Sequence, residues 1–200
     1  VNATRELVHA RIVRVFDYDE NLAEGLALFS MELVKGCSVQ LLLAAAREAR
    51  TPVPVPLALT VLLQVLEALE AAHAQGVIHR DVTPANILLA GGAAKELLAD
   101  PSRDPQVKLV DFGIAGALER SELSQKSRVL GTAAYVAPEV LDPRVEVTPA
   151  ADVYGAGAVF YELLTGEAPL GRFDDPSSLR RDLAREANVL ALQLVERQPL

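Results

Sequence analysis

The chain has 200 residues, of which half are hydrophobic and 23% are charged. This length fits one domain or most of a larger one, and this composition excludes a disordered chain. There are 19 Lys and Arg residues against 27 Asp and Glu residues, so the net charge is −8, which argues against a protein that binds nucleic-acid phosphates.

The chain contains one cysteine, Cys37. A single cysteine excludes a disulfide framework and a cysteine-based zinc site, and it favours a reducing compartment, so we expect a cytoplasmic protein. No run reaches the roughly 18 apolar residues that a membrane span needs, so we expect no membrane segment in this chain. The chain lacks the basic start and apolar core of a signal peptide and opens on Val1, from which we expect a fragment or a processed product.

The first part of the chain contains two predicted strands followed by two predicted helices. Residues 12–18 and 26–33 are rich in β-branched and aromatic residues, and the turn residues between them predict a hairpin. Residues 38–50 are rich in Leu and Ala and predict a helix that stops at Pro52. The next helix ends near Gly76 and has a stripe of leucines that we expect in the core: Leu59, Leu62, Leu63, Leu66 and Leu69.

The later elements are shorter until a long apolar helix. Strands are predicted at 87–89 and 107–110, separated by a stretch rich in Gly, Ala, Asp and Pro that predicts a solvated excursion. Residues 148–166 begin with a Thr-Pro pair typical of a helix start and predict a buried helix. The charged tail after Gly171 predicts an amphipathic surface helix.

Three short strings carry the chemistry of the sequence. The first, between the leucine-rich helix and a strand, reads His79-Arg80-Asp81-Val82-Thr83-Pro84-Ala85-Asn86. The second, Asp111-Phe112-Gly113, directly follows the strand at 107–110, and the third spans residues 131–139 as G-T-A-A-Y-V-A-P-E. Each string alone is a weak signal, but all three in this order and context are specific.

With these strings the chain resembles a eukaryotic-type serine/threonine protein kinase, of the kind that bacteria also encode. H-R-D-x-x-x-x-N, D-F-G and A-P-E are the signature motifs of that family, and the resemblance runs from about residue 9 to about residue 170. It implies an α+β, protein-kinase-like fold in which residues 1–35 are a remnant of the small N-lobe, with the end of helix C, two strands and the hinge. Residues 36–200 would be an incomplete, mostly helical C-lobe.

The resemblance also implies ATP and Mg²⁺ as cofactors and a protein substrate with a Ser or Thr acceptor. The Glu32 carbonyl and the Val34 N–H would face the adenine, with Met31 as gatekeeper and Leu88 packing on the base from below. Phosphoryl transfer depends on neutralising the charge of the γ-phosphate and on holding the attacking and leaving oxygens in line. The protein itself therefore forms few covalent bonds in the reaction.

The catalytic residues follow from the same resemblance. Asp111 and the Asn86 amide oxygen would bind Mg²⁺, which prefers oxygen ligands. Asp81 would orient the acceptor hydroxyl and take its proton late in the reaction. Asp152 corresponds to the residue that holds the backbone of the catalytic loop.

Arg80 is the predicted partner of a phosphorylated loop residue, through bidentate hydrogen bonds. The candidate sites are Ser124 and Ser127, with Ser121 beside them. The other singled-out side chains have structural interpretations: His9, His73 and His79 as packed residues, and Cys37 as an inert one.

Three departures from the family pattern stand out. Thr83 occupies a position where these kinases mostly have a Lys that contacts the γ-phosphate, and an inserted stretch separates Asp81 from Asp111. No glycine-rich phosphate loop and no strand Lys of the V-A-I-K type occurs in the chain. The resemblance also implies further helices at the end of the C-lobe that this sequence lacks. We therefore expect a catalytic domain truncated at both ends, with weak or no activity on its own and an exposed apolar patch.

Two alternatives remain. A pseudokinase or regulatory binding module is favoured by Thr83 and by the missing phosphate loop, and disfavoured by the retained Asp81, Asn86 and Asp111. A small-molecule phosphotransferase shares an H-x-D-x-x-x-x-N string, but the string at 131–139, which shapes a peptide-accepting ledge in protein kinases, disfavours it.

Overall fold

The structure is a computed structural model that describes residues 7–21, 26–100, 102–112, 133–142, 144–171 and 173–195. Its strands are β1 (Val15–Asn21), β2 (Leu26–Met31), β3 (Gly36–Ser38), β4 (Ile87–Ala90) and β5 (Gln106–Leu109). Its helices are α1 (Val39–Ala49), α2 (Val55–His73), α3 (Ala94–Ala99), α4 (Pro149–Thr165), α5 (Pro176–Leu179) and α6 (Arg185–Val195), with short 3-10 turns at Ala133–Tyr135 and Pro138–Leu141. Helices and two small sheets confirm the predicted α+β class.

The first two strands form the predicted antiparallel hairpin. β1 begins at Val15 and not at residue 12, because Ile12 and Val13 pair with Leu109 of β5 instead. This pairing connects the segment before the hairpin to the second sheet. Large apolar side chains are exposed along this part of the chain: Phe16, Leu28, Met31 and Leu33.

The second sheet has the order β3-β4-β5, and both pairs are antiparallel. Ile87 and Leu89 of β4 are fully buried in the core, so the alternation of side chains places Leu88 on the opposite face, across from Lys108 of β5. The sequence did not predict β3. A Cβ atom on Gly36 would lie 1.8 Å from the Leu89 carbonyl oxygen, so the two strands approach as closely as they do because residue 36 is glycine.

Helices α2 and α4 pack against each other at the centre of the core. The predicted leucine stripe of α2 is largely correct. Leu62 and Leu69 are buried, and Leu59 and Leu66 are partly buried against the core. Leu63, however, is 60% exposed. Five leucines at this spacing cover more than one face of a helix, so one of them turns to solvent. Helix α4 is buried along most of its length, as predicted.

The stretch between β4 and β5 differs from the predicted solvated excursion. It contains α3, which packs against α1 and buries Leu97 to 1% exposure. Lys95 of α3 also lies 3.7 Å from Glu48 of α1. The inserted residues therefore extend the core beside α1.

The C-terminal helices cover α4. A Cβ atom on Gly157 of α4 would lie 2.4 Å from the Leu194 Cβ atom of α6, so the helices are in close contact there. The predicted amphipathic helix is present as α6, with Ala187, Ala191 and Val195 buried, but it begins only at Arg185.

One helix among the described residues, α2, is long and apolar enough to cross a membrane by length and composition alone. Half of its most apolar window is buried inside the protein. Core helices pass the same test, so this is weak evidence for a membrane span.

Candidate active site

The backbone of residues 79–86, here called the 79–86 loop, is held by a buried carboxylate. Asp152, in the first turn of α4, is 1% exposed and accepts hydrogen bonds from the backbone nitrogens of His79 (2.8 Å) and Arg80 (2.7 Å). The Nε2 atom of His73 lies 2.7 Å from the same carboxylate. These bonds confirm the prediction that Asp152 anchors the loop. The contact of His73 with Asp152 agrees with its interpretation as a structural residue.

His79 connects the 79–86 loop to the end of β5. Its ring is fully buried against the Phe112 ring, with 4.5 Å between the centroids. Its Nδ1 atom accepts a hydrogen bond from the Asp81 nitrogen, so Nε2 carries the proton and donates to the Val110 carbonyl at 2.8 Å. Burial lowers the pKa of His79, although the charge of Asp152 opposes this effect. His79 is thus a neutral, packed residue, as predicted.

Asp81 and Asn86 form one hydrogen-bonded unit. The Asn86 side-chain nitrogen donates to the backbone oxygen and to the Oδ2 atom of Asp81, at 2.9 Å in both cases. Asn86 is nearly buried, and its backbone nitrogen donates to the Thr83 carbonyl, which closes the turn of the loop. Because both donor bonds use the amide nitrogen, the Asn86 Oδ1 atom keeps its lone pairs for another partner.

Asp111 lies at the end of β5 beside this unit. The Val110 nitrogen donates to the Asn86 carbonyl at 3.0 Å, so Asp111 is one residue beyond the position opposite Asn86. Partial loss of hydration raises the pKa of Asp111, and the charge of Asp81 raises it further. A carboxylate whose charge is disfavoured by a neighbouring carboxylate gains stability when a cation is bound near it.

The donors fit a magnesium ion. Asp111 offers a carboxylate and Asn86 an amide oxygen, both hard oxygen ligands. Within the described ranges, no group of three or more His, Cys, Asp or Glu side chains could hold a metal ion by itself. Mg²⁺ is usually bound through one or two carboxylates and the phosphates of a substrate, and the donors present agree with such a site.

The segment after β2 is tied to β5 by an ion pair. Both Glu32 carboxylate oxygens lie within 2.9 Å of the Lys108 ammonium, which lowers the pKa of Glu32. The Glu32 backbone nitrogen donates to the Arg14 carbonyl. Val34 and Leu88, the other predicted adenine contacts, are partly buried, and Leu88 is the cross-strand neighbour of Lys108. The predicted gatekeeper Met31 is 41% exposed.

A cleft of about 430 Å³ opens beside Asp81, and the residues that line it include Arg47 and Glu162, which the sequence did not indicate as site residues. Glu162 of α4 is 4% exposed, and it pairs with Arg47 of α1 and with the Tyr135 hydroxyl. The sequence signal for Glu162 was a glutamate within the apolar run that follows Asp152 in α4, since a buried charge needs a partner. Thr83, 8% exposed, also lines the cleft.

Several predicted residues lie outside the described part of the chain. They are Gly113 of the second string, the first two residues of the third string, and the candidate phosphorylation sites Ser121, Ser124 and Ser127.

Comparisons with known proteins cover nearly the whole chain. The sequence model of the protein kinase domain family matches residues 1–198. The serine/threonine-protein kinase PkaA of Streptomyces coelicolor is 39% identical over 183 residues, which cover 90% of this chain and 30% of that protein. The serine/threonine-protein kinase PknH of Mycobacterium tuberculosis is 32% identical over 207 residues, covering 96% of this chain and 30% of that protein. The chain thus spans about a third of the length of these relatives.

A solved structure gives the same result for the fold. The crystal structure of the Mycobacterium tuberculosis PknI kinase domain superimposes with a TM-score of 0.70 and 28% sequence identity. The match covers 98% of this chain and 67% of that one.

Proposed function

Since the chain belongs to the protein kinase domain family and is of the bacterial serine/threonine type, we propose that it is the catalytic segment of an ATP-dependent kinase. The reaction is transfer of the ATP γ-phosphate to a Ser or Thr hydroxyl of a protein. The observation that carries the proposal is the hydrogen-bonded Asp81–Asn86 unit beside Asp111, on a loop anchored by Asp152.

Asp81 orients the acceptor hydroxyl in this proposal. Asn86 holds the Oδ2 atom of Asp81 at 2.9 Å, which leaves Oδ1 to accept a hydrogen bond from the substrate alcohol. A carboxylate is a weak base for an alcohol, so its main contribution is to direct the hydroxyl oxygen at the phosphorus, with proton transfer late. Positioning and electrostatic stabilisation supply most of the rate in this type of reaction.

The nucleotide is held by residues of the hinge and of the second sheet. The Glu32 carbonyl and the Val34 N–H hydrogen-bond the adenine, and Leu88 packs on its face. Asn86 and Asp111 hold Mg²⁺, which neutralises the phosphate charge when bound. Arg80 pairs with a phosphorylated Ser among residues 121–127. A cytoplasmic location remains a prediction.

The test is phosphate transfer from radiolabelled ATP to a Ser/Thr peptide library. The chain and the longest native protein that contains it are both assayed, with Asp81→Asn and with Asp104→Asn, an exposed carboxylate, as the matched control. We expect Asp81→Asn to lower kcat by about 10²–10⁴, the range for a positioned acid or base, and to leave Mg-ATP binding intact. Unchanged transfer in Asp81→Asn would contradict the proposal.

One observation favours a second candidate, a pseudokinase that binds partners without transferring phosphate. Thr83 is buried beside Asp81 and cannot supply the positive charge that a Lys would bring to the γ-phosphate. A thermal-shift titration with Mg-ATP separates the candidates in part, because a kinase must bind the nucleotide. Nucleotide binding without transfer by the longest native protein would favour the second candidate.

A further inference from the structure

Lys108 of β5 is a partly buried cation that the proposed reaction does not use. Its ammonium lies 2.8 Å from the Oε1 atom and 2.9 Å from the Oε2 atom of Glu32. The Lys108 side chain is 18% exposed and that of Glu32 is 35% exposed, so the pair is better shielded from water than an ordinary surface ion pair. The hydrogen bond with Lys108 lowers the pKa of Glu32, so the carboxylate is charged at neutral pH.

The pair adjoins the face of the second sheet that we assign to the adenine. Leu88 and Lys108 lie directly opposite each other in the antiparallel strands β4 and β5, and residues paired in this way point to the same face of a sheet. Lys108 therefore connects this face to the segment after β2, in which Glu32 offers its carbonyl to the base.

Glu32 is held at a second point by the segment before the hairpin. Its backbone nitrogen donates to the Arg14 carbonyl at 2.9 Å, and its Oε2 atom accepts a bond of 3.4 Å from the Arg14 nitrogen. That segment is itself bonded to β5, because the Val13 nitrogen donates to the Leu109 carbonyl at 2.9 Å. Bonds through the nitrogen and through the side chain fix the tetrahedral Cα centre of Glu32, and with it the position of its carbonyl carbon.

The residues that follow add little to this restraint. Residues 32–35 lie outside the helices and strands, and Leu33 is 83% exposed. The next bond of this segment joins the Lys35 carbonyl to the Gly91 nitrogen at 3.3 Å, three residues further along. The ion pair therefore carries much of the restraint at the start of the segment.

We propose, on the basis of the ATP-dependent function above, that Lys108 is a positioning residue that fixes the Glu32 carbonyl for the adenine amino group and so sets the preference for adenine over bases without that group. A carbonyl accepts a hydrogen bond from the amino group of adenine, but it repels the oxygen that hypoxanthine carries at the same position. A fixed carbonyl sharpens this discrimination, because a carbonyl that is free to turn moves away from the wrong base.

The test measures nucleotide binding in the presence of Mg²⁺, which does not require phosphate transfer. ATP and inosine triphosphate, which lacks the amino group, compete with a fluorescent ATP analogue labelled on the ribose. Their dissociation constants are measured for the longest native protein that contains the chain and for its variants Lys108→Met, Lys108→Arg, Glu32→Gln and Lys95→Met. Lys95 is an exposed lysine of α3 that also pairs with a glutamate, and it serves as the matched control.

We expect Lys108→Met to bind ATP about tenfold less tightly, which corresponds to about 1.4 kcal/mol. It should bind inosine triphosphate within about twofold of the wild type, because this nucleotide has no amino group whose hydrogen bond could be lost. Lys108→Arg keeps a cation and should restore most of the preference for ATP, and Lys95→Met should equal the wild type. If Lys108→Met is too unstable to measure, Glu32→Gln provides the reading, because it keeps the side-chain volume, removes the charge and should narrow the ratio of the two affinities in the same way.

A ratio of affinities that stays at the wild-type value in both Lys108→Met and Glu32→Gln overturns the inference. An equal loss of affinity for both nucleotides also overturns it, since general destabilisation has that signature. Failure of the kinase proposal looks different. If the wild type binds Mg-ATP with the expected preference but transfers no phosphate, the reaction proposed above is wrong and the role of Lys108 stands; if the wild type binds no nucleotide, both are wrong.

Discussion

Replacing Asp152 by alanine would remove the acceptor of two backbone amides and of a histidine ring. The lost bonds are the 2.8 and 2.7 Å contacts to the His79 and Arg80 nitrogens and the 2.7 Å contact to His73. An unpaired buried donor costs about 1–3 kcal/mol, and loss of the carboxylate leaves two backbone donors and the His73 ring without their acceptor. We expect Asp152→Ala to lower the free energy of unfolding by about 3–5 kcal/mol, a large share of the roughly 5–15 kcal/mol typical of a domain.

Urea denaturation measures this loss through the midpoint and the slope of the transition. At about 2–4 °C per kcal/mol for a domain of this size, Tm should fall by about 6–20 °C. Asp104→Ala removes an exposed carboxylate and should stay within about 0.5 kcal/mol of the wild type. Asp152→Asn keeps the side-chain volume and one acceptor oxygen, and we expect it to lose more than half as much as Asp152→Ala, because its NH₂ group would face a backbone donor.

A loss below about 1 kcal/mol in Asp152→Ala would refute this reasoning, since it is smaller than the cost of a single unpaired buried donor. The 79–86 loop would then be held by packing of its apolar neighbours. Hydrogen exchange gives an independent check, because the amides of His79 and Arg80 should lose protection in Asp152→Ala and keep it in Asp104→Ala.

Three further predictions concern neighbouring residues. Gly36→Ala should destabilise the chain by about 1–3 kcal/mol in urea denaturation, the usual cost of overpacking, because the new Cβ atom would clash with the Leu89 carbonyl. In the control Gly92→Ala, the new Cβ atom would contact only the ends of side chains, so this variant should lose less stability. His79 should keep the NMR shifts of a neutral ring below pH 6.5, the ordinary pKa of histidine, because burial lowers its pKa. Below this pH the unfolded chain binds a proton at His79 that the folded chain does not bind. The free energy of unfolding should therefore fall as the pH drops below about 6.5. A ring that titrates normally would contradict this. Thr83→Lys should raise the phosphate-transfer rate of the longest active native protein about tenfold by adding a positive charge near the γ-phosphate, and an unchanged rate would show that another group already supplies it.

Helices α1 and α4 were predictable because their ends carry local signals. The predicted helix at 38–50 is observed as Val39–Ala49. The predicted helix at 148–166 is observed as Pro149–Thr165; it begins at the Thr-Pro pair and ends just before Gly166, whose backbone is in the left-handed conformation. The hairpin was predicted with a shifted start. The same β-branched run at 12–18 serves two purposes, since its first residues pair with Leu109 and only the later ones pair with β2.

Features that depend on distant contacts could not be predicted from local patterns. Helix α3 forms in a stretch with a loop-like composition because Leu97 is buried against α1. The pairing of Arg47 with Glu162 joins residues 115 positions apart in the sequence. The candidate active site was more accessible to sequence reasoning, because Asp81 and Asn86 belong to one short string and Asp111 follows a strand directly.

The backbone of the site is strained at two of its residues. Arg80 and Asp111 have φ angles of 68° and 65°, in the left-handed region that costs a residue other than glycine about 1–3 kcal/mol. Asp152 accepts a bond from the Arg80 nitrogen, and the His79 ring bonds both the Val110 carbonyl before Asp111 and the Asp81 nitrogen. A protonated ring could not accept from Asp81, because both of its nitrogens would be donors. The burial that lowers the pKa of His79 therefore also preserves the placement of the two carboxylates.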